Sequence, residues 1–349
     1  MTNVSLLDLS YDELADRLGA WGYPKYRVDQ IWHAAFVDLA TDYAAVSTLP
    51  LDLRQELSRS LPLAPCLAER SLESPDGLTR KTVLRLADGE TVEVVMMDYS
   101  ERASVCISSQ VGCAVGCPFC ATGQAGFVRN LSSGEIVAQV LYAARDVRSI
   151  ARPLSNVVFM GMGEPFGNPD AVFQAIRTLN DPRGFGLGAR SFTISTAGVV
   201  PGIDRLAADP LQVNLAVSLH AADDTLRNVL VPLNRKYPLD ILMAACRRYA
   251  ARTHRRITFE IALVAGVNDR PHHARAVAER LDEMLCHVNL IPVNPIPERR
   301  DFRRSPSLSV HAYAEILKAA GIPTTIRDSR GAEIAAGCGQ LRARRRTNS

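Results

Sequence analysis

Three cysteines crowd into eight residues as Cys113-x₃-Cys117-x₂-Cys120, within Gly112-Cys-Ala-Val-Gly-Cys-Pro-Phe-Cys-Ala-Thr-Gly123. Three thiolates cannot close a structural zinc site, which wants four ligands. They can bind three irons of a cubane cluster and leave the fourth iron open to a substrate. Zinc completed by a distant ligand, or three unrelated thiols, is the plainer alternative. The other five cysteines, Cys66, Cys106, Cys246, Cys286 and Cys338, are scattered. A secreted disulfide framework would be denser and in a shorter chain, whereas a tight cysteine cluster in a reducing compartment more often binds metal.

Other polar residues gain meaning from the elements that carry them. Apolar runs at Ser104–Ser108, Asn156–Met160, Phe192–Ser195, Val213–Leu219, Ile257–Val264 and Val288–Ile291 read as strands, with helical segments between them. The first of these helices follows the capping box Ser132-x-x-Glu135. This alternation predicts an α/β fold, a parallel sheet closed or partly closed as a (β/α)6 barrel. In such barrels the reactive groups gather at the carboxyl ends of the strands. Cys113 follows the first strand, and Gly163-Glu164 of Gly161-Met-Gly-Glu-Pro165 the second. Ser195 ends the third, Ser218-Leu219-His220 the fourth, and Asn294 follows the sixth. All therefore fall on one rim.

Around this core the sequence predicts smaller parts. Residues 1–65 read as a helical accessory domain, from the capping box Ser10-x-x-Glu13, the apolar face Val28, Ile31, Trp32, Ala35, and a third helix opened by Thr48 and Pro50. Residues 66–98 read as a β-hairpin extension, with period-two segments flanking Asp88-Gly89. Residues 99–340 form the barrel, and 341–349 a basic tail with Arg342, Arg344, Arg345 and Arg346. Net charge is only +3, so an RNA partner is suggested by the clustering of arginines near the end rather than by total charge. No apolar run spans a bilayer, and the amino terminus lacks a signal-peptide pattern. The expectation is a cytoplasmic protein without a membrane partner.

The cysteine spacing, with an aromatic residue before the last cysteine, resembles the radical S-adenosylmethionine (SAM) superfamily. That resemblance implies a [4Fe–4S] cluster, one per chain, on Cys113, Cys117 and Cys120. It also implies SAM contacts at Gly163, Glu164, Ser195, Ser218, Leu219, His220 and Asn294. Val-Cys106-Ile-Ser-Ser-Gln-Val-Gly-Cys, Gly-Met-Gly-Glu-Pro and Gly-Cys338-Gly-Gln-Leu together resemble, over essentially the whole chain, the RlmN family of bacterial 23S rRNA adenine-C2 methyltransferases.

By that resemblance Cys338 is a methyl carrier that forms S-methylcysteine, and two SAM molecules are consumed per methylation. Carbon 2 of adenine is electron-poor and cannot attack the SAM methyl group, so a methylene radical on Cys338 adds to it and forms an enzyme–RNA adduct. Glu93, thirteen residues before Cys106, takes the family's proton-acceptor place, with Cys106 itself as the alternative acceptor of that proton. It shares a strand face with Val95 and Met97, where burial favours a stronger base. Cys106 resolves the adduct through a transient disulfide with Cys338. The implied partners are 23S rRNA, tRNA modified beside the anticodon, and a low-potential electron donor such as flavodoxin. Three rivals stand: a sister enzyme acting on carbon 8 of the same adenine, a radical SAM enzyme for a small molecule, and a non-catalytic iron–sulfur RNA-binding protein.

Overall fold

Ser10 and Glu13 close the reciprocal cap their spacing predicts. The Ser10 hydroxyl accepts from the Glu13 amide at 3.2 Å and the Glu13 carboxylate accepts from the Ser10 amide at 2.7 Å. Two amides that would lack partners at the start of α1 (Tyr11–Ala20) are thereby satisfied. Helix α2 (Tyr26–Phe36) buries Val28, Ile31, Trp32 and Ala35, and α3 (Leu51–Ser60), entered from Pro50, buries Leu53 and Leu57. The computed structural model describes residues 4–99, 101–149, 153–327 and 329–342. Arg344, Arg345 and Arg346 of the basic tail lie outside the described residues.

The next strands are β1 (Cys66–Glu73), β2 (Thr79–Leu86), β3 (Thr91–Tyr99) and β4 (Arg102–Cys106), each antiparallel to the one before. The predicted hairpin is β2–β3, with Val83 opposite Glu93. It is the middle of a four-strand run continuous with the barrel sheet rather than a free-standing extension. Strand β1 escaped the sequence reading because most of its residues are exposed, which removes the period-two signal.

A separate two-stranded ribbon, β5 (Gln110–Gly112) and β6 (Phe127–Asn130), brackets the cysteine loop and the short helix α4 (Ala121–Ala125). Helix α5 (Ser133–Ser149) starts at the predicted box, with Ser132 and Glu135 exchanging hydrogen bonds of 2.9 and 3.1 Å. From β4 onward the sheet is parallel, through β7 (Leu154–Phe159), β8 (Phe192–Thr196), β9 (Asn214–Ser218), β10 (Ile257–Leu263), β11 (Cys286–Pro292) and β12 (Thr324–Ile326). The six expected strands are present. β12, only three residues long, adds a seventh that periodicity could not reveal. Between the strands run α6 (Pro169–Asn180), α7 (Val200–Ala208), α8 (Asp224–Leu230), α9 (Leu239–Thr253), α10 (Pro271–Arg280) and α11 (Ser307–Ala319).

The ten strands form one open sheet with β1 and β12 at its edges, a partial barrel. The amino-terminal helices share its contiguous apolar core, and the Asp8 carboxylate ties them to α5 by accepting from the Gly134 amide at 2.6 Å. Among the described residues no helix is long and apolar enough to cross a membrane.

Candidate active site at the carboxyl ends of the parallel strands

The cysteine loop is folded back by a close backbone crossing. Gly112 has a φ of +76°, and a Cβ there would lie 1.9 Å from the Gly126 carbonyl oxygen, so only glycine fits. The Cys113 amide then donates to that same carbonyl at 2.9 Å. Cys113, Cys117 and Cys120 all line one cavity of about 170 Å³. Burial pushes the Cys113 thiol up to about 12 and Cys117 well above its usual range. Such thiols become thiolates only when a cation compensates for the lost hydration. Among the described residues no three His, Cys, Asp or Glu side chains converge on a single ion. Three soft donors spread around a shared cavity fit a multi-iron cluster with one open iron better than a lone zinc.

The facing wall is the loop after β7. A Cβ on Gly161 would meet the Ile107 carbonyl oxygen at 2.6 Å, and one on Gly163, at φ +103°, would meet Gln110 Cβ at 2.6 Å. The glycine pair thus lets this loop press onto the segment that leads to the cysteines. Gln110 Oε1 accepts from the Glu164 amide at 2.8 Å. The Glu164 carboxylate accepts from the amides of Phe166 at 3.0 Å and Ala197 at 2.6 Å. Burial nevertheless holds that carboxyl above its usual range.

Ser195 and Ser218, at the ends of β8 and β9, line the same cavity, as does His220. His220 sits in the left-handed region at φ +62°. Its Nδ1 accepts from the Ala262 amide at 3.0 Å, which leaves the ring proton on Nε2. Burial, with Arg227 adding to it, depresses the imidazole to about 3, so it is neutral. Leu219 and Asn294 lie elsewhere. Leu219 is wholly buried beneath the wall, with its amide donating to the Glu260 carbonyl at 3.0 Å. Asn294 Nδ2 donates to the Cys338 carbonyl at 3.1 Å.

Cys338 rides on a carboxyl-terminal segment held from several sides. Gly339 accepts from the Ala121 amide at 2.7 Å, Ala335 accepts from Lys81 Nζ at 3.0 Å, and the Arg342 amide donates to Glu93 Oε2 at 3.0 Å. Lys81 and Glu93 are themselves ion-paired at 3.2 Å and buried. Glu93 lines neither cavity. Cys338 lines both the cysteine-loop cavity and a second of about 290 Å³ that contains Cys106. Met160 and Ile291 also face both cavities, so the two are contiguous. Burial, reinforced by the neighbouring Cys338, pushes Cys106 up to about 12. All eight cysteines are free thiols, Cys106 and Cys338 included. Cys246 and Cys286 are buried in the apolar core, and Cys66 is half-buried against it.

Three site residues were not legible in the sequence. Arg227 is 1% exposed and donates to the carbonyls of Ala197 (2.8 Å), Ser218 (3.0 Å) and Leu219 (3.0 Å), fastening the ends of β8 and β9 together. An arginine on a short helix ordinarily reads as solvated, so nothing marked it. Glu260 is the lone charge in the apolar run of β10, and that was the available signal. Its Oε1 accepts from Asn289 at 3.0 Å and lies 3.7 Å from Arg327, while its buried Oε2 has no partner among the described residues. Glu260 faces the first cavity and Arg327 the second.

Comparison with known proteins agrees with this geometry. Residues 107–277 match the family model of the radical SAM superfamily. The chain is 49% identical to the "probable dual-specificity RNA methyltransferase RlmN" of Chloroflexus aurantiacus, over 97% of this chain and 93% of that protein. It is 44% identical to the "dual-specificity RNA methyltransferase RlmN 1" of Myxococcus xanthus, over 98% and 95% respectively. The crystal structure of a radical SAM methyltransferase from Sphaerobacter thermophilus superposes with a TM-score of 0.96 at 52% identity, covering 97% of this chain and 99% of that one.

Proposed function

Since the chain belongs to the RlmN family of radical SAM RNA methyltransferases, we propose that it methylates carbon 2 of an adenine in 23S rRNA, and of one beside the anticodon in tRNA, with Cys338 as methyl carrier. The observation that carries this reading is the position of Cys338 between two contiguous cavities, one walled by the three-cysteine loop and the other containing Cys106. A carrier must meet the methyl donor on one side and the acceptor base on the other.

Cys113, Cys117 and Cys120 hold one [4Fe–4S] cluster per chain, kept reduced by a low-potential donor such as flavodoxin. The cluster and SAM, when bound, supply a 5′-deoxyadenosyl radical. Glu164, with amides already satisfying part of its carboxylate, binds the SAM ammonium by charge-assisted hydrogen bonds. Gly163 allows close backbone approach. Ser195, Ser218 and the neutral His220 offer hydroxyl and Nε2–H groups to the polar parts of the nucleoside. Leu219 and Asn294 act from behind this wall, Leu219 by accepting from Arg227 and Asn294 by steadying the Cys338 segment through its amide.

Cys338 takes a methyl group from one SAM by substitution at sulfur, with S-adenosylhomocysteine leaving. The 5′-deoxyadenosyl radical from a second SAM would take a hydrogen atom from that methyl group, leaving as 5′-deoxyadenosine and giving a methylene radical on Cys338. After that radical adds to carbon 2, Glu93 accepts the ring proton and the adduct's unpaired electron would pass to the cluster held by Cys113, Cys117 and Cys120, leaving a closed-shell adduct. The placement of Glu93 on the face of β3 that carries Val95 and Met97, both walls of the second cavity, supports this role. The Cys106 thiolate then attacks the Cys338 sulfur. The carbon–sulfur bond breaks with its electron pair going to carbon, which takes up a proton to become the methyl group. The sulfurs are left as a disulfide for external reduction.

Mass spectrometry of nucleosides from RNA treated with anaerobically reconstituted protein tests the reading. The expected product is 2-methyladenosine. An 8-methyladenosine product replaces it with the carbon-8 activity, and absence of any methylated adenosine refutes both.

A further inference from the structure

The cavity that holds Cys106 and Cys338 opens beside a group of side chains with no part in the methyl transfer itself. Tyr99, at the end of β3, and Arg330 both line it. The Arg330 guanidinium carbon lies 4.4 Å from the Tyr99 ring centroid, and that of Arg102 lies 5.2 Å from it. Tyr99 pairs with Arg102 across the β3–β4 turn, so the strand register itself creates the second contact. Arg330 Nη1 also donates to the Asp98 carbonyl at 2.9 Å, and Arg102 Nη1 to Asn156 Oδ1 at 3.1 Å. Both acceptors are uncharged, so these bonds orient the guanidinium groups without neutralising them. Both arginines are exposed and Tyr99 is half-buried.

A second constraint comes from size. The reacting carbon must reach Cys338, and the space that leads to it is about 290 Å³. That admits a single base taken out of its stack and no stretch of duplex. The ribose, the two flanking phosphates and the neighbouring bases therefore stay at the mouth. Guanidinium forks match phosphate geometry, and unstacked RNA bases settle on arginine planes and aromatic rings. An arginine already held against a ring loses little freedom on binding.

We propose that Arg330, Tyr99 and Arg102 form the seat for the RNA strand on either side of the extruded adenine. The guanidinium groups take the flanking phosphates, and the Tyr99–Arg330 pair provides a stacking surface for a neighbouring unpaired base. This rests on the reading of the protein as an RNA adenine methyltransferase and names the surface that presents the RNA to the site.

The test is the affinity of an RNA hairpin with an unpaired loop adenine, measured by fluorescence anisotropy across a KCl series. Methyl loading of Cys338 is followed in parallel by peptide mass in the absence of RNA. Arg330→Ala and Arg102→Ala are expected to weaken binding about tenfold each and to flatten the log–log salt slope by about one. Arg330→Lys keeps the slope while losing part of the affinity, because the charge remains and the planar fork does not. Tyr99→Ala weakens binding about tenfold with the slope unchanged. Arg252→Ala, on the exposed side of α9, alters neither quantity, and Cys338 loading stays at the parent level in every variant.

Parent-like affinity in Arg330→Ala and Tyr99→Ala overturns the proposal alone. Loss of Cys338 loading together with RNA affinity also overturns it, since that pattern marks a distorted cavity. A parent protein that neither binds the hairpin nor methylates any RNA overturns the underlying function as well, a result distinct from a parent that binds and variants that bind equally.

Discussion

The backbone amide of Arg342 donates to Glu93 Oε2 at 3.0 Å, joining positions 249 apart in the chain. Lys81, ion-paired with Glu93 at 3.2 Å, reaches the Ala335 carbonyl of the same segment. The carboxylate assigned as proton acceptor thus also fastens the strap that carries Cys338, and the two roles can be separated.

Glu93→Gln retains an oxygen for the Arg342 amide but cannot take up a proton. It also leaves Lys81 buried without its counter-charge, which costs about 3–5 kcal/mol when a buried pair is broken on one side. Urea denaturation should therefore show Glu93→Gln clearly destabilised, and Lys81→Met combined with Glu93→Gln restored to near the parent. RNA methylation should fall about 10²–10⁴-fold in both proteins. Activity that returns along with stability in the double variant would mean that Glu93 only holds the strap.

Cys113→Ala, Cys117→Ala and Cys120→Ala should each abolish reductive SAM cleavage while the fold survives. None of the three takes part in a disulfide, and each borders a cavity rather than filling the apolar core. Iron and labile sulfide per chain, measured anaerobically, are expected to drop sharply in each, with far-ultraviolet circular dichroism unchanged. Stoichiometric zinc without labile sulfide in the parent would defeat the cluster assignment.

These residues were legible in the sequence because their chemistry demands proximity. Three thiols that share one cluster sit within one loop, and the polar ends of apolar strands fall on one barrel rim by the geometry of the fold. The strap was recognisable only through Cys338 itself. Its fastenings, Lys81, Glu93, Ala121 and Asn294, come from four separate parts of the chain, and no local pattern links them. Arg227 was hidden because its value lies in three carbonyls it gathers, which belong to other elements. Edge strands β1 and β12 carry too little buried alternation to be seen.

The neutrality of His220 makes a pH prediction with a definite sign. Its ordinary value of 6.5 is depressed to about 3 in the folded protein, first by burial and then by Arg227. Between these values the unfolded chain binds a proton that the folded chain does not. The histidine's contribution is therefore fully present above about pH 6.5 and is lost progressively as the pH falls towards 3. The total is on the order of a few kcal/mol. His220→Asn supplies an oxygen for the Ala262 amide, tolerates the left-handed backbone and does not titrate. Denaturation midpoints at pH 7, 6, 5 and 4 should fall more steeply in the parent than in this variant. Parallel curves would show that the ring is not held neutral.

Cys106 provides the sharpest test of the carrier reading. It borders the second cavity with Cys338, and its thiol is raised to about 12 by burial and by Cys338. If its thiolate is needed only after the carrier has joined the base, Cys106→Ala should still load Cys338 and still cleave SAM. The adduct should then accumulate, with protein and RNA linked through one methylene bridge. Cys338→Ala and the double variant should give no such species, because the sulfur that carries the carbon is gone. A merely structural cysteine would instead slow every step together. In the parent, resolution should quicken with rising pH, by up to about tenfold per unit below the thiol's own value, since the thiolate is the attacking form. Denaturing gels with labelled RNA, followed by nuclease digestion and peptide mass analysis, read all of these outcomes. A Cys106→Ala protein that turns over normally, or that cleaves SAM and never crosslinks, would remove Cys106 from the resolving step.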